Sequence, residues 1–371
     1  MPFPKFDRSR LAFKKLTGRK NRIFIETDHI PVTFKPLNLS EKGLELVKKT
    51  TDRIKIAIQN RASVMLVFGA HTIKNGMAPV LISLMEEGWI THLATNGAGI
   101  IHDWEFAFQG KSGEDVRENV RLGQFGIWEE TGFFINLALI TGAYERLGYG
   151  ESIGKMISQE GLEIPELSHL YKEAEKNMHS SPHVAAAALD FAGAIREYRL
   201  EEGFMVIPHP WKKYSAQARA FELRIPFTGH PMIGHDIIYT HPLNSGAAVG
   251  RTALNDFLAF TESVSNIDNG VYMSVGSAVM SPMIFEKSFS MARNIKNNEK
   301  KNIDNHYMII VDMAATSWDW KKNGEPPENN PDYYLRYCKT FNRMGGEMHY
   351  LTADNRDFLL ALYQNLNKVR K

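Results

Sequence analysis

Five short runs rich in apolar residues constrain this chain more than any other feature. VMLVFGA (64–70) carries no charge, and ITHLATNG (90–97), GVYMSVG (270–276), HYMIIVDM (306–313) and EMHYLTAD (347–354) carry few. Runs of this kind fit strands buried on both faces, the condition of a parallel sheet covered by helices. Between them lie helical patterns. EKGLELVKKTTDRIKIAIQN (41–60) sets Leu44, Val47, Ile54 and Ile58 on one stripe, and a second helix is expected from about Gly76 to Glu87. This strand–helix–strand order predicts a right-handed parallel unit.

The stretch from Asp115 to about Leu200 is mostly helical in pattern, including VAAAALDFAGAIREY (184–198), and NRDFLLALYQNL (355–366) closes the chain as an amphipathic helix. The expected fold is therefore α/β, a doubly wound, mostly parallel, Rossmann-like sheet with a helical insertion around 115–200. Residues 1–40 are basic and proline-containing and read as an N-terminal arm, with 41–371 as one domain. NIKNNEKKNIDN (294–305) and KKNGEPPENNP (321–331) read as polar loops.

Charge and cysteine content narrow the function. With 44 basic and 42 acidic residues the net charge is +2, which gives no basic footprint for nucleic acid. A single cysteine, Cys338, excludes an intramolecular disulfide and argues against a cysteine zinc site. His209, His230, His235 and His241 fit no familiar ligand spacing, so no metal is expected. FFINLALITGAY (133–144) is too short to span a bilayer, and MPFPKFDRSR has no apolar stretch behind it. The expectation is a cytoplasmic protein without a membrane partner.

Ligands of open parallel sheets bind outside the carboxyl ends of the strands. Here those ends read GAHTIKNG, TNGAGIIHD, SVGSAVMSP, VDMAATSWDW and TADN. Small residues let backbone N–H groups approach phosphates, and carboxylates such as Asp312 or Asp354 suit ribose hydroxyls. No loop matches G-x-G-x-x-G, so each glycine alone is also consistent with a tight turn. Taken together, the five loops favour a dinucleotide.

The order of these motifs resembles the deoxyhypusine synthase family. GAHTIKNG (69–76), NGAGIIHD (96–103) and QGKSGEDVREN (109–119) resemble its successive early turns. PMIGHD (231–236), VGSAVMSPMI (275–284) and Ala353-Asp354 resemble later ones. PDYYLRYCK (331–339) places Lys339 at the position of the family's catalytic lysine. Ser281-Pro282, His102 and Tyr333 depart from the family pattern.

The resemblance implies an NAD-binding homotetramer that transfers an aminoalkyl group between amines through an imine. Lys339 would carry the fragment covalently. Asp236, or His235 in the alternative alignment, would anchor the amine. Glu286, Trp318 and Tyr337 offer the carboxylate and aromatic faces that a polyamine pocket needs. Thr72, Asn75, Asn96, Gly97, Ala98, Gly276, Asp312, Ala314, Ala353 and Asp354 would form the cofactor site. Two other readings use the same scaffold: an NAD-dependent amine oxidoreductase or deaminase without a lysine adduct, and a non-catalytic nucleotide-binding protein.

Overall fold

The structure is a computed structural model that describes residues 3–368. Its ten strands are β1 (Asn21–Phe24), β2 (Val64–Phe68), β3 (His92–Asn96), β4 (Lys111–Glu114), β5 (Gly161–Ile164), β6 (Gly203–Val206), β7 (Phe227–His230), β8 (Val271–Val275), β9 (Tyr307–Asp312) and β10 (Glu347–Thr352). Six form the main sheet in the order β10-β9-β8-β2-β3-β7, with every neighbouring pair parallel. Counted along the chain within that sheet, the order is 3-2-1-4-5-6, the doubly wound Rossmann order. The two small antiparallel ribbons, β1 with β4 and β5 with β6, lie outside it.

Both faces of the sheet are covered, which is why its strands read as apolar runs rather than alternations. Val64, Leu66, Phe68, Leu93, Val275 and Ile309 face one core. Met65, Val67, Ala94, Tyr272, Met308 and Ile310 face a second. The helices Glu41–Gln59, Ala78–Glu86 and Asn355–Asn367 pack into the first, through residues such as Val47, Leu81 and Phe358. Gly246–Ser265, Met280–Asn298 and Arg336–Arg343 pack into the second, through Phe260, Phe285 and Phe341.

β7 has no counterpart among the five expected strands. Pro226 precedes it and Gly229 interrupts it, so IPFTGH reads locally as a turn. The connection from β3 to β7 runs through residues 97–226 and carries most of the additional helices, including Glu129–Glu145, Tyr149–Gln159 and Pro182–Tyr198. The polar stretch 294–305 is helical through Asn298 rather than a loop from its start.

Residues of the N-terminal segment are not a free arm. Leu16 and Ile25 are buried in the first core, the Leu16 N–H donates to Glu130 at 2.6 Å, and β1 pairs with β4. Arg19 is buried against Glu105. Basic composition suggested exposure, but a buried acid consumed one of the basic residues.

The sheet order reverses between β2 and β8, and there the chain closes tightly. Gly69 donates its N–H to the Val275 carbonyl at 3.1 Å, and a side chain at Gly69 would collide with the Gly276 carbonyl oxygen. Gly276 itself sits at φ 58°, in the left-handed region. A crevice at the carboxyl ends therefore begins at this point.

Candidate functional site

Two cavities flank the short helix Ala70–Lys74 at the carboxyl end of the sheet. The first, of about 320 Å³, is lined by His71, Asn75, Gly276, Asp312, Ala353 and Asp354, among others. Five of these were expected in a cofactor site; His71 was not. Asn75 and Thr72 are tied together by Asn355, whose side chain bonds Asn75 at 3.0 Å and donates to Thr72 Oγ1 at 3.3 Å. Asp312 accepts the Ala314 N–H at 3.1 Å, and Asp354 accepts the Arg356 N–H at 2.8 Å as the cap of the last helix. Gly276 leaves one wall without a side chain: only Asn355 Nδ2, at 3.9 Å, approaches where a Cβ would stand.

The second cavity, of about 180 Å³, lies at the start of the helix Gly97–Gln109. Ala98, His102 and Glu105 project into it from one helix face, joined by Arg19, Lys74, Glu114, His235 and Asp236. The spacing of Ala98, His102 and Glu105 is that of one helical stripe. Asn96 caps this helix, accepting the Gly99 N–H at 3.0 Å. Gly97 must lack a side chain because a Cβ would strike the Asp236 carboxylate.

Asp236 is the unusual group of this cavity. Its Oδ2 is sealed from solvent and has no hydrogen-bond partner among the described residues. Burial pushes its pKa up to about 6, against a smaller opposing effect of His235. Two phenols, Tyr149 and Tyr239, also face it electrostatically, and neither hydroxyl has a hydrogen-bond partner among the described residues. Lys74 lines the same cavity, with no ion pair among the described residues.

Beneath them runs a satisfied network. Arg19 donates to both oxygens of Glu105 at 2.7 and 2.6 Å, with both side chains buried. Ser112 donates to Glu105 at 2.5 Å and shares a 2.8 Å hydrogen bond with His102 Nδ1. Burial opposes ionisation of Glu105, but the Arg19 guanidinium outweighs it and holds the carboxyl below its usual range. Burial takes His102 down to about 4, so it is neutral at pH 7. Glu114 accepts from Asn119, Gly126 and Trp128.

The other expected residues lie elsewhere. Lys339 lines neither cavity; its Nζ stands 3.4 Å from the Tyr333 ring centroid. Tyr337 is buried and shares a 3.3 Å hydrogen bond with Tyr350, whose hydroxyl donates to the Ala314 carbonyl at 2.5 Å. Trp318 donates its ring N–H to the Gly324 carbonyl at 2.9 Å. Glu286 pairs with its neighbour Lys287. The four histidines also separate: His209 packs edge-on against Trp104 and Phe108, His230 bonds Thr228 at 2.9 Å, His241 packs on Phe13, and His235 stays at the cavity. Asp103, which the family pattern retains, is buried and holds Ser215 at 2.5 Å and the Ala216 N–H at 2.9 Å.

Arg19, Lys74, His102, Glu105 and Glu114 were not singled out from the sequence as site residues. The helical stripe 98–102–105 was the one signal that would have grouped three of the lining residues.

No protein-family model matches the chain, and no curated protein matches it. Among solved structures it is similar to a conserved LOR/SDH protein of Methanococcus maripaludis S2, at 11% identity and a TM-score of 0.43, over 92% of this chain and 74% of that one. It is also similar to AgrE, solved as a ternary complex with ornithine and NAD+, at 14% identity and a TM-score of 0.44, over 89% of this chain. A third is ArgZ, an arginine dihydrolase from the ornithine–ammonia cycle in cyanobacteria, at 14% identity, a TM-score of 0.39 and 87% of this chain. The chain spans only 34% of the AgrE chain and 33% of the ArgZ chain.

The expected membership of the deoxyhypusine synthase family is therefore corrected. No family model supports it, and these structural neighbours belong to other proteins. The motifs that suggested it are short glycine turns, which any sheet of this order requires at its strand ends. No helix among the described residues is long and apolar enough to cross a membrane.

Proposed function

We propose that this chain is an NAD-dependent oxidoreductase or deaminase of a small amine that also carries a carboxylate, an amino acid. One observation carries the reading. Asp236, a carboxylate with a sealed, unpartnered oxygen, lines one cavity with Lys74 at the carboxyl edge of a Rossmann-ordered sheet. AgrE, one of the solved structures to which the chain is similar, was solved with ornithine and NAD+.

The crevice fits a dinucleotide by the chemistry of its lining. Gly276 offers bare backbone, Asp312 and Asp354 offer carboxylates for ribose hydroxyls, and Asn75 offers an amide. NAD would supply a hydride acceptor for the amine-bearing carbon. Asp236 would take the proton lost by the substrate ammonium, and Lys74 would pair with the substrate carboxylate. Neutral His102, oriented by Ser112, would accept or donate a hydrogen bond without adding charge. Arg19 would act only through Glu105, which already occupies its guanidinium.

The test is NADH and ammonia formation from the purified chain with ornithine, lysine, arginine and, for contrast, spermidine. Absence of both products for every amine, with NAD demonstrably bound, would sink the reading. Gly276→Val is expected to weaken NAD binding at least about tenfold, since a β-branched residue is strained at positive φ and fills the crevice wall. Calorimetric titration with NAD measures this. Lys339→Ala is expected to leave turnover within about twofold, because surface substitutions away from a site act weakly. A larger loss in steady-state rate would reopen a covalent role for that lysine.

A further inference from the structure

The two ring nitrogens of His102 face different surroundings. Nδ1 lies 2.8 Å from the hydroxyl of Ser112, a fully buried residue of β4. The side chain is 19% exposed and lines the cavity that holds Asp236 and Lys74. Nε2, on the ring edge away from Ser112, has no hydrogen-bond partner among the described residues. Unlike Asp236 Oδ2, it is not sealed from solvent. At pH 7 the neutral ring carries a single proton, and its neighbours decide which nitrogen holds it.

Ser112 has one hydroxyl hydrogen and two neighbours that could take it, His102 Nδ1 and Glu105. Its oxygen stands 2.5 Å from Glu105 Oε2. Glu105 is held ionised by Arg19, which donates to both carboxylate oxygens at 2.7 and 2.6 Å. A carboxylate only accepts. Were the hydroxyl hydrogen turned to His102, two oxygens would face each other at 2.5 Å with no proton between them. The hydrogen therefore goes to Glu105, the Ser112 oxygen accepts, and Nδ1 carries the ring proton. Nε2 keeps a bare lone pair. Arg19, Glu105, Ser112 and His102 form one ordered chain, and each member fixes the next.

We propose that Ser112 is a positioning residue that locks His102 in the Nδ1–H tautomer, and that the bare Nε2 accepts an N–H of the ligand's ammonium group. The ligand half rests on the reading of this cavity as an amino-acid site; the tautomer does not. Of donating and accepting, only accepting is then open to His102. An ammonium suits that position because it brings three donors and no acceptor.

The experiment is NMR of the full chain carrying isotope-labelled histidine nitrogens, with His102 assigned by the signals lost in His102→Gln. A pyrrole-type Nδ1 and a pyridine-type Nε2 are expected at neutral pH, in at least about tenfold excess over the other tautomer. Ser112→Ala should erase or reverse that excess, because free neutral histidine favours Nε2–H. Ser112→Thr, which keeps the hydroxyl, should retain it. Ornithine, with its binding followed by calorimetry, should move the Nε2 signal. An Nε2–H form or an even mixture in the unmodified chain overturns the proposal, as does an excess that survives in Ser112→Ala. If that variant does not fold, the unmodified chain alone decides. An Nε2 signal unmoved by bound ornithine overturns the acceptor role. If neither ornithine nor arginine binds, the amino-acid reading falls and takes the ligand contact with it, while the tautomer is still decided on the free protein.

Discussion

Arg19→Met is expected to destabilise the fold by about 3–5 kcal/mol at pH 7, the usual cost of removing one partner of a buried ion pair. The reason is the carboxylate left behind rather than the attraction lost. Glu105 would keep Ser112 at 2.5 Å and Thr131 at 3.4 Å, but no cation would face it. The pair is held in the folded state below the usual glutamate range, so its contribution is present above the unfolded pKa and fades as pH falls through the folded value. The deficit of Arg19→Met should therefore shrink as pH falls, first where the orphaned and desolvated Glu105 gains a proton above the usual glutamate range, and then as the intact pair is lost below it. Urea unfolding at neutral and acidic pH measures it. A double variant, Arg19→Met with Glu105→Leu, should recover part of the loss, because a buried pair replaced by apolar groups is often neutral. Equal deficits in single and double variants would show that packing, not charge, dominates.

Asp236→Asn is expected to lower turnover by about 10²–10⁴-fold, the range for loss of a positioned acid–base group. Asparagine keeps the shape against Gly97 but cannot take a proton. If the proposed reaction holds, the unmodified chain should gain activity as pH rises through about 6, where Asp236 ionises. The same shift has the opposite sign for stability. A carboxyl raised from 3.8 to about 6 favours the protonated folded state, so its contribution is full below the unfolded pKa and lost as pH rises to about 6. Activity and stability should therefore diverge across that window, and both trends should vanish in Asp236→Asn. A pH–rate profile that keeps its acid limb in the variant would assign the base elsewhere, with Glu114 the next candidate.

Much of the scaffold was legible before any coordinates. The five runs became β2, β3, β8, β9 and β10; β2, β8 and β9 announce themselves locally because a strand covered on both faces is apolar nearly throughout, whereas the edge strand β10 buries only Met348 and Leu351. The glycine-containing turns marked the carboxyl ends, and with them Asn75, Gly276, Asp312, Ala353 and Asp354 along one crevice. β7 was hidden because Pro226 and Gly229 speak locally for a turn, while its place in the sheet comes from partners such as His92, 2.9 Å from Thr228.

Residues 96–99, the NGAG turn, turned out to serve two purposes. Asn96 caps a helix and Gly97 clears space for Asp236. Nothing in that tetrapeptide reveals the second purpose, since Asp236 stands far along the chain. The same holds for Arg19 and Lys74, which meet His102 and Asp236 only after the sheet has ordered its strands 3-2-1-4-5-6. Local sequence was enough for the covered parallel sheet and its glycine-lined rim, because burial and turn chemistry act between near neighbours. Which charges face one another across that rim follows from the three-dimensional fold, because desolvation and ion pairing depend on groups brought together from distant parts of the chain.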